Sequence, residues 1–350
     1  MKATTTLIAA MAAVPSLLST SAMAKTLDIY FIDVEGGQST LVVTPQGETL
    51  LIDTGFAGSP AGAAPIPGIE SSSHASRIAA AARDAGAKKI DYLLITHFHG
   101  DHMGGAPELA KLLPIGSFVD HGTLAQSEQS PRSMEPFEAY AKVRATGRHI
   151  EPKPGDQLPL KGVEVTVVSS AAQVLTKSLS GAGKPNAVCD AGRPAEDLGE
   201  NARSTGIVVK WGKFRFLDIG DLTTRPLYDI ACPNDLIGPV DVYLVAHHGG
   251  ADAAESATFA SFRPRVSVVN NGAKKGGALK LYEHLQNDKL VGEVWQLHRS
   301  QAAGDSNFTD ERIANVDEST AHWIKVSANE DGSFRVTNGR TGKSSDYKAR

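Results

Sequence analysis

Short apolar runs, some alternating with polar residues and some continuous, punctuate this chain from residue 27 onward. The segments 27–33 (LDIYFID), 39–44 (STLVVT) and 49–55 (TLLIDTG) predict three strands, separated by Gly-Gly and Pro-Gln-Gly turns. A Gly/Ala/Pro loop follows at 58–68. The segment 75–85 (ASRIAAAARDA) then predicts a helix, stopped by Gly86. IDYLLIT (90–96) is almost continuously apolar, the pattern of a strand buried on both faces. A helix over 106–113 ends at Pro114, and 115–120 is the next strand. The pattern then gives loop and helix without sharp bounds over 121–160.

Strands resume at 162–170, 206–211, 214–221, 241–248, 265–271, 291–298, 322–328 and 333–338, the last two joined by an Asn-Glu-Asp-Gly turn. Residues 171–203 are polar, rich in Gly and Pro, and too long for a simple connector, which marks them as a functional loop. No internal repeat is present. Two groups of strands with helices between them predict an α/β fold of two sheets packed face to face, helices outside, in one domain.

The first 24 residues stand apart. Met1-Lys2 is a short positive start, 7–18 (LIAAMAAVPSLL) an apolar core, and Ala22-Met23-Ala24 an A-x-A cleavage site before Lys25. This is the pattern of a secretory signal peptide, and no cysteine stands at the cleavage point to take a lipid. No later run approaches the roughly 20 apolar residues of a membrane-spanning helix. The mature chain, 25–350, is therefore expected to be soluble and secreted or periplasmic. Cleavage removes Lys2, so the 35 basic residues become 34 against 39 acidic, a net of −5. That balance gives no basic footprint of a general nucleic-acid binder, although a metal site can supply local positive charge to a nuclease. The two cysteines, Cys189 and Cys232, are candidates for a disulfide in an exported chain. The competing reading is a metal-ligating or free thiol, but neither has Cys or His near it at zinc-site spacing.

The chemistry concentrates in Thr96-His97-Phe98-His99-Gly100-Asp101-His102, directly after the buried strand. Three imidazoles and a carboxylate within six residues, at a strand's carboxyl end, suit metal coordination. Two further elements sit where a two-ion site needs them. One is a strand ending in Gly220-Asp221, whose carboxylate can bridge two cations; the other ends in His247-His248-Gly249-Gly250.

With these residues in place, the chain resembles the metallo-β-lactamase superfamily, whose signature is H-x-H-x-D-H at a strand end, and Leu51-Ile52-Asp53-Thr54-Gly55 matches its early Asp motif. Phe31-Ile32-Asp33-Val34 with Gly36-Gly37, Asn201-x-x-Ser204, Gly220-Asp221 and His247-His248-Gly249 resemble the branch containing the periplasmic domain of the competence protein ComEC. The resemblance implies an αββα sandwich with two divalent ions, zinc being the expected metal, in a cleft at the sheets' shared edge. It implies that His97 and His99 bind the first ion, that Asp101, His102 and His247 bind the second, that Asp221 bridges, and that Asp53 orients a ligand. Asn201 and Ser204 are implied near the metals. His248 is either a substrate contact or a packed residue.

Many members hold the first ion with a third histidine between the motif and the bridging Asp. Here only His121 and His149 lie in that interval. His149 is expected to face solvent, whereas His121, after the next strand, is a candidate extra ligand or substrate contact. The gap favours the ComEC-like branch over true β-lactamases.

Paired ions supply an activated water and charge stabilisation, so the site needs no protein nucleophile, and no Gly-x-Ser-x-Gly elbow is present. The loop Asn270-Asn271-Gly272-Ala273-Lys274-Lys275-Gly276-Gly277 offers amides and cations to an anionic oxygen, with Asn271 and Lys275 as candidate substrate contacts. The expected activity is hydrolysis of phosphodiester or related phosphoryl bonds. Alternatives are lactam, lactone or ester hydrolysis on the same fold, or a catalytically silent metal-binding accessory protein.

Overall fold

The computed structural model describes residues 25–59, 71–189 and 192–350; the signal-peptide segment and most of the 58–68 loop lie outside these. Two mixed sheets face each other. In the first, the strand order is Ser344–Tyr347, Phe334–Asn338, Ile324–Ala328, Leu27–Phe31, Thr40–Val43, Thr49–Ile52, Ile90–Leu94, Ile115–Val119 and Arg148–Ile150. In the second it runs Ile313–Asn315, Glu293–His298, Val266–Val269, Val242–Leu244, Phe214–Asp218, Gly206–Trp211, Glu164–Ser170 and Gln157–Leu158, with Gln173–Val174 pairing Glu164–Ser170. Each sheet is antiparallel in one part and parallel in the other. The parallel stretches are Thr49–Ile52 through Arg148–Ile150, and Phe214–Asp218 through Ile313–Asn315.

Apolar side chains decide the layering. Leu27, Ile29, Leu50, Ile52 and Leu94 of the first sheet meet Val165, Val209, Phe216, Val242 and Trp295 of the second in a shared core. On the outer face of the first sheet, Leu51, Leu93 and Ile95 pack against helix His74–Asp84 and its neighbours. On the outer face of the second, Leu217, Tyr243 and Val245 pack under Thr224–Ala231, Ser256–Phe262 and Leu279–Asn287. The result is the α/β fold with two mixed sheets expected from the pattern, consistent with the metallo-β-lactamase sandwich. Alternation within each strand sends successive side chains to opposite faces, so one strand feeds both an inner and an outer core.

Helix His74–Asp84 begins at Ser73, whose side chain accepts from the Ser76 N–H, and stops before Gly86, which has φ +72°. Several strands are shorter than the sequence pattern predicts. The run 241–248 is a strand only over Val242–Leu244, because at 247–249 three successive residues, His247, His248 and Gly249, take left-handed φ of 52°, 52° and 73° and turn the chain. The sulfurs of Cys189 and Cys232 are bonded, closing the loop between them; neither is a free or metal-ligating thiol. Among the described residues, no helix is long and apolar enough to cross a membrane.

Candidate metal centre

The parallel strands of both sheets deliver their carboxyl ends to one edge, where open α/β sheets usually carry their sites. Asp53 follows Thr49–Ile52 and the histidine motif follows Ile90–Leu94. Asp221 follows Phe214–Asp218, the histidine pair follows Val242–Leu244, and Lys275 lies in the loop after Val266–Val269. Two glycines are needed for this convergence. A Cβ on Gly37 would lie 2.5 Å from the Asp101 carbonyl oxygen, and one on Gly220 2.8 Å from the Thr96 side chain. Gly220 also has φ +55°, and its N–H donates to Asp218, a carboxyl that burial pushes up to about 7.

Four side chains meet in the deepest part. His102 Nε2 is 3.1 Å from Asp221 Oδ2, 3.2 Å from His248 Nε2 and 3.5 Å from Asp101 Oδ2. His248 Nε2 is 3.1 Å from Asp101 Oδ2 and 3.2 Å from Asp221 Oδ2. Ligand atoms on one tetrahedral ion with bonds of about 2.0–2.1 Å stand about 3.4 Å apart, so these four fit a single small cation. Other features point the same way. Asp221 Oδ1 is buried without a hydrogen-bond partner. Burial would raise the pKa of Asp101 and of Asp221, yet their histidine neighbours, and Lys275 for Asp101, hold both below the usual carboxylate range. His102 is drawn well above the ordinary histidine value: burial would lower it, but Asp221, Asp53 and Asp101 surround it. An excess of buried negative charge is what a divalent ion neutralises.

Asp53 Oδ2 accepts from His102 Nδ1 at 2.7 Å and from the Thr96 hydroxyl at 2.7 Å, while its Oδ1 accepts from the Thr96 N–H at 2.8 Å. This fixes the His102 ring with its Nε2 lone pair toward the cluster.

His97 and His99 occupy the outer part, with His97 Nε2 2.9 Å from His99 Nδ1 and 3.9 Å from Asp221 Oδ2. His247 Nε2 also lies 3.9 Å from Asp221 Oδ2, while its Nδ1 meets Asp252 Oδ2 at 2.8 Å, a contact that raises its pKa. Ser204 Oγ stands 3.4 Å from His97 Nδ1 and Asn201 Nδ2 3.4 Å from His247 Nε2.

Four expectations need correction. His248, not His247, sits beside Asp101 and His102; the left-handed turn at 247–249 swaps which of the two adjacent imidazoles points inward. Asn271 is fully buried and occupied by Gly272 O, His298 O, Tyr282 OH and the His298 N–H, so it holds the loop and does not face a substrate. His121 lies behind Phe98, ring centroids 4.4 Å apart, with Nε2 on Glu200 at 3.0 Å, away from the cluster. His149 is half-buried on Asp120 at 2.9 Å and does not simply face solvent. Glu128, Glu200 and Asp252 were not legible as site residues, since isolated acidic residues in loops carry no pattern. Trp295 belongs to the core.

A second group of potential ligands, Asp33, Glu35 and His298, lies to one side. Arg77 already fills it, with Nη1 2.7 Å from Asp33 and 3.2 Å from Glu35, and His298 Nε2 is 2.8 Å from Asp33. Two carboxylates facing a guanidinium and an imidazolium balance one another, leaving no charge for a cation to satisfy. The cluster anchors the turn 33–37, whose Gly36 carbonyl accepts from Lys275 and whose neighbour Gln38 donates its N–H to Asp101 O at 3.1 Å.

None of the curated proteins matches the chain. Among solved structures, similar ones include CmlA, a diiron beta-hydroxylase from Streptomyces venezuelae. It is 14% identical over 71% of this chain and 45% of its own, with TM-score 0.42. Another is Igni18, a metallo hydrolase from Ignicoccus hospitalis, 15% identical over 77% of this chain and 95% of its own, TM-score 0.42. A third is Tm1679, a metal-dependent hydrolase of the beta-lactamase superfamily, 16% identical with the same coverages and TM-score. The chain spans about half the length of the CmlA structures it matches. Residues 32–174 match the family model of the metallo-beta-lactamase superfamily, and this matched segment carries Asp53 and the whole His97–His102 motif.

Proposed function

We propose that residues 25–350 act as one exported hydrolase domain that holds two divalent cations and cleaves phosphodiester or related phosphoryl bonds. The observation that carries this reading is the convergence of Asp101, His102, Asp221 and His248 on a point sized for one ion, beside a second imidazole pair, His97 and His99. Asp221 stands between the two groups and is the bridging candidate. His247 then faces the outer ion, in the place of the third histidine absent between the motif and Asp221. All these donors are nitrogen or oxygen, and the contacts of 3.1–3.5 Å within the deep four are near tetrahedral spacing, which suits Zn²⁺.

When bound, such a pair supplies an activated water at neutral pH and Lewis acidity toward the attacked group. The chain's own residues orient and recognise. Asp53 sets the tautomer of His102. Lys275, 42% exposed, reaches the Asp101 carboxylate and lies 5.5 Å from the centre of the Phe56 ring, at the mouth of the centre. A cation there suits an anionic substrate oxygen, which favours a phosphoryl group over a neutral lactone. An open cavity of about 640 Å³ leads away from His99 and Asp101 past Phe56, Ser127, Ser130 and Arg132, room for a substrate arm.

Export is supported by the amino-terminal sequence pattern and is compatible with the Cys189–Cys232 disulfide. The motifs shared with the ComEC-like branch support a place there. The test is metal content with a panel comprising a chromogenic phosphodiester, a phosphomonoester, a lactone and a cephalosporin. Two ions per chain and a diesterase activity lost on chelation are expected. Lactone or cephalosporin turnover without diesterase activity overturns the substrate class, and absence of bound metal overturns the enzyme.

A further inference from the structure

The deep imidazole, His102, is braced by a carboxylate, and the outer one has a counterpart of its own. His99 Nε2 donates to Glu128 Oε2 at 2.8 Å. A carboxylate only accepts, so the proton sits on Nε2 and leaves the Nδ1 lone pair free. That lone pair faces His97 Nε2, 2.9 Å away. Glu128 is itself held, its Oε1 accepting the Glu200 N–H at 2.7 Å.

Glu200 completes the arrangement. It is fully buried, and its carboxylate accepts from the Phe98 N–H at 2.9 Å, from His121 Nε2 at 3.0 Å and from the Ala125 N–H. Phe98 is the residue between His97 and His99, so Glu200 grips the backbone of the H-x-H segment while Glu128 grips its second ring. Burying a carboxylate is costly unless every lone pair finds a donor. Packing alone would be served by an apolar residue, which would leave the Phe98 and Ala125 N–H groups and His121 without an acceptor.

We propose that Glu128 is a positioning residue for the outer ion, fixing the tautomer and ring orientation of His99, and that Glu200 ties the loop bearing Glu128 to the H-x-H backbone. The inference rests on the two-ion reading above. Neither residue belongs to a motif. Glu128 comes from the 3-10 turn Gln126–Glu128 and Glu200 from the long polar loop, two segments distant in sequence that are joined beside this histidine by the Glu200 N–H on Glu128, the Ala125 N–H on Glu200 and the Ser127 hydroxyl on Leu198 O.

The test is placed on Glu128, which is partly exposed, because Glu200 is buried among its donors. The metal-free mature protein and its Glu128→Gln variant are titrated with Co²⁺, following visible absorption, and with Zn²⁺ against a competing chelator dye. The variant is expected to lose about 10–100-fold in affinity for the outer ion, with altered Co²⁺ bands for that step. Affinity for the deep ion and the melting temperature of the metal-free protein should stay at wild-type values. Wild-type affinity for both ions in the variant overturns the proposal. Equal weakening of both ions with a lowered melting temperature also overturns it, since the role is then structural. A wild-type protein that takes up a single ion overturns this proposal and the two-ion reading together.

Discussion

The two halves of the centre are built from the same residue types on opposite principles. In the deep half, His102 and His248 are 0% and 1% exposed, and their brace, Asp53, is a buried residue at the end of a core strand. In the outer half only His97 is buried; His99 and His247 are 35% and 33% exposed, and their partners, Glu128 and Asp252, are themselves partly exposed on loops. Burial makes the first half rigid and charge-hungry; exposure leaves the second held by screened contacts that water can contest. On the two-ion reading proposed above, one sheet edge provides a fixed ion site and an adjustable one, the adjustable half facing the cavity beside His99.

The largest expected effect breaks the deep half. Asp101→Ala or Asp221→Ala should cut turnover by about 10³-fold or more, the loss of several kcal/mol of charge stabilisation, with circular dichroism unchanged. Unaltered turnover would remove the two-ion mechanism. Next, His248→Ala should remove the deep ion, whereas His247→Ala should affect only the outer one, as read by metal content after dialysis. The reverse result would restore the assignment predicted from sequence. Asp53→Asn, which leaves the cluster's own donors in place, should weaken the deep ion about 10–100-fold in a chelator competition, with little change at the outer ion.

The smallest effect concerns the buried cluster under the 33–37 turn. Burial would lower the His298 pKa, but Asp33 and Glu35 raise it above the ordinary value, while Asp33, which burial would raise, is held below its own by His298 and Arg77. The stability from a raised histidine is full below the unfolded value of about 6.5 and is lost as pH rises through the folded one. The Asp33 contribution is lost only as pH falls below the ordinary carboxylate range. The melting temperature of the metal-free protein should therefore fall as pH rises above about 6.5, and His298→Gln should flatten that limb. A profile identical in the two proteins would show that the cluster does not stabilise the turn behind Asp101.

The sequence by itself determined the two-sheet α/β fold, because strand and turn chemistry are local: periodicity marked most core strands, and Gly86 ended the first helix where a left-handed residue was needed. It also marked the histidine motif, whose members are crowded into six residues. Tertiary structure decided everything that depends on direction. Whether His247 or His248 points inward is set by three left-handed residues, and a one-residue twist of backbone is invisible in an HHGG string. Asn271 looked like a ligand by type, yet its amide is consumed by the loop it stabilises. The braces of the outer half, Glu128 on His99 and Glu200 on Phe98, join residues 29 and 102 positions apart. Contacts at such separations leave no periodicity or spacing to read, because only the folded sheet edge brings their partners together.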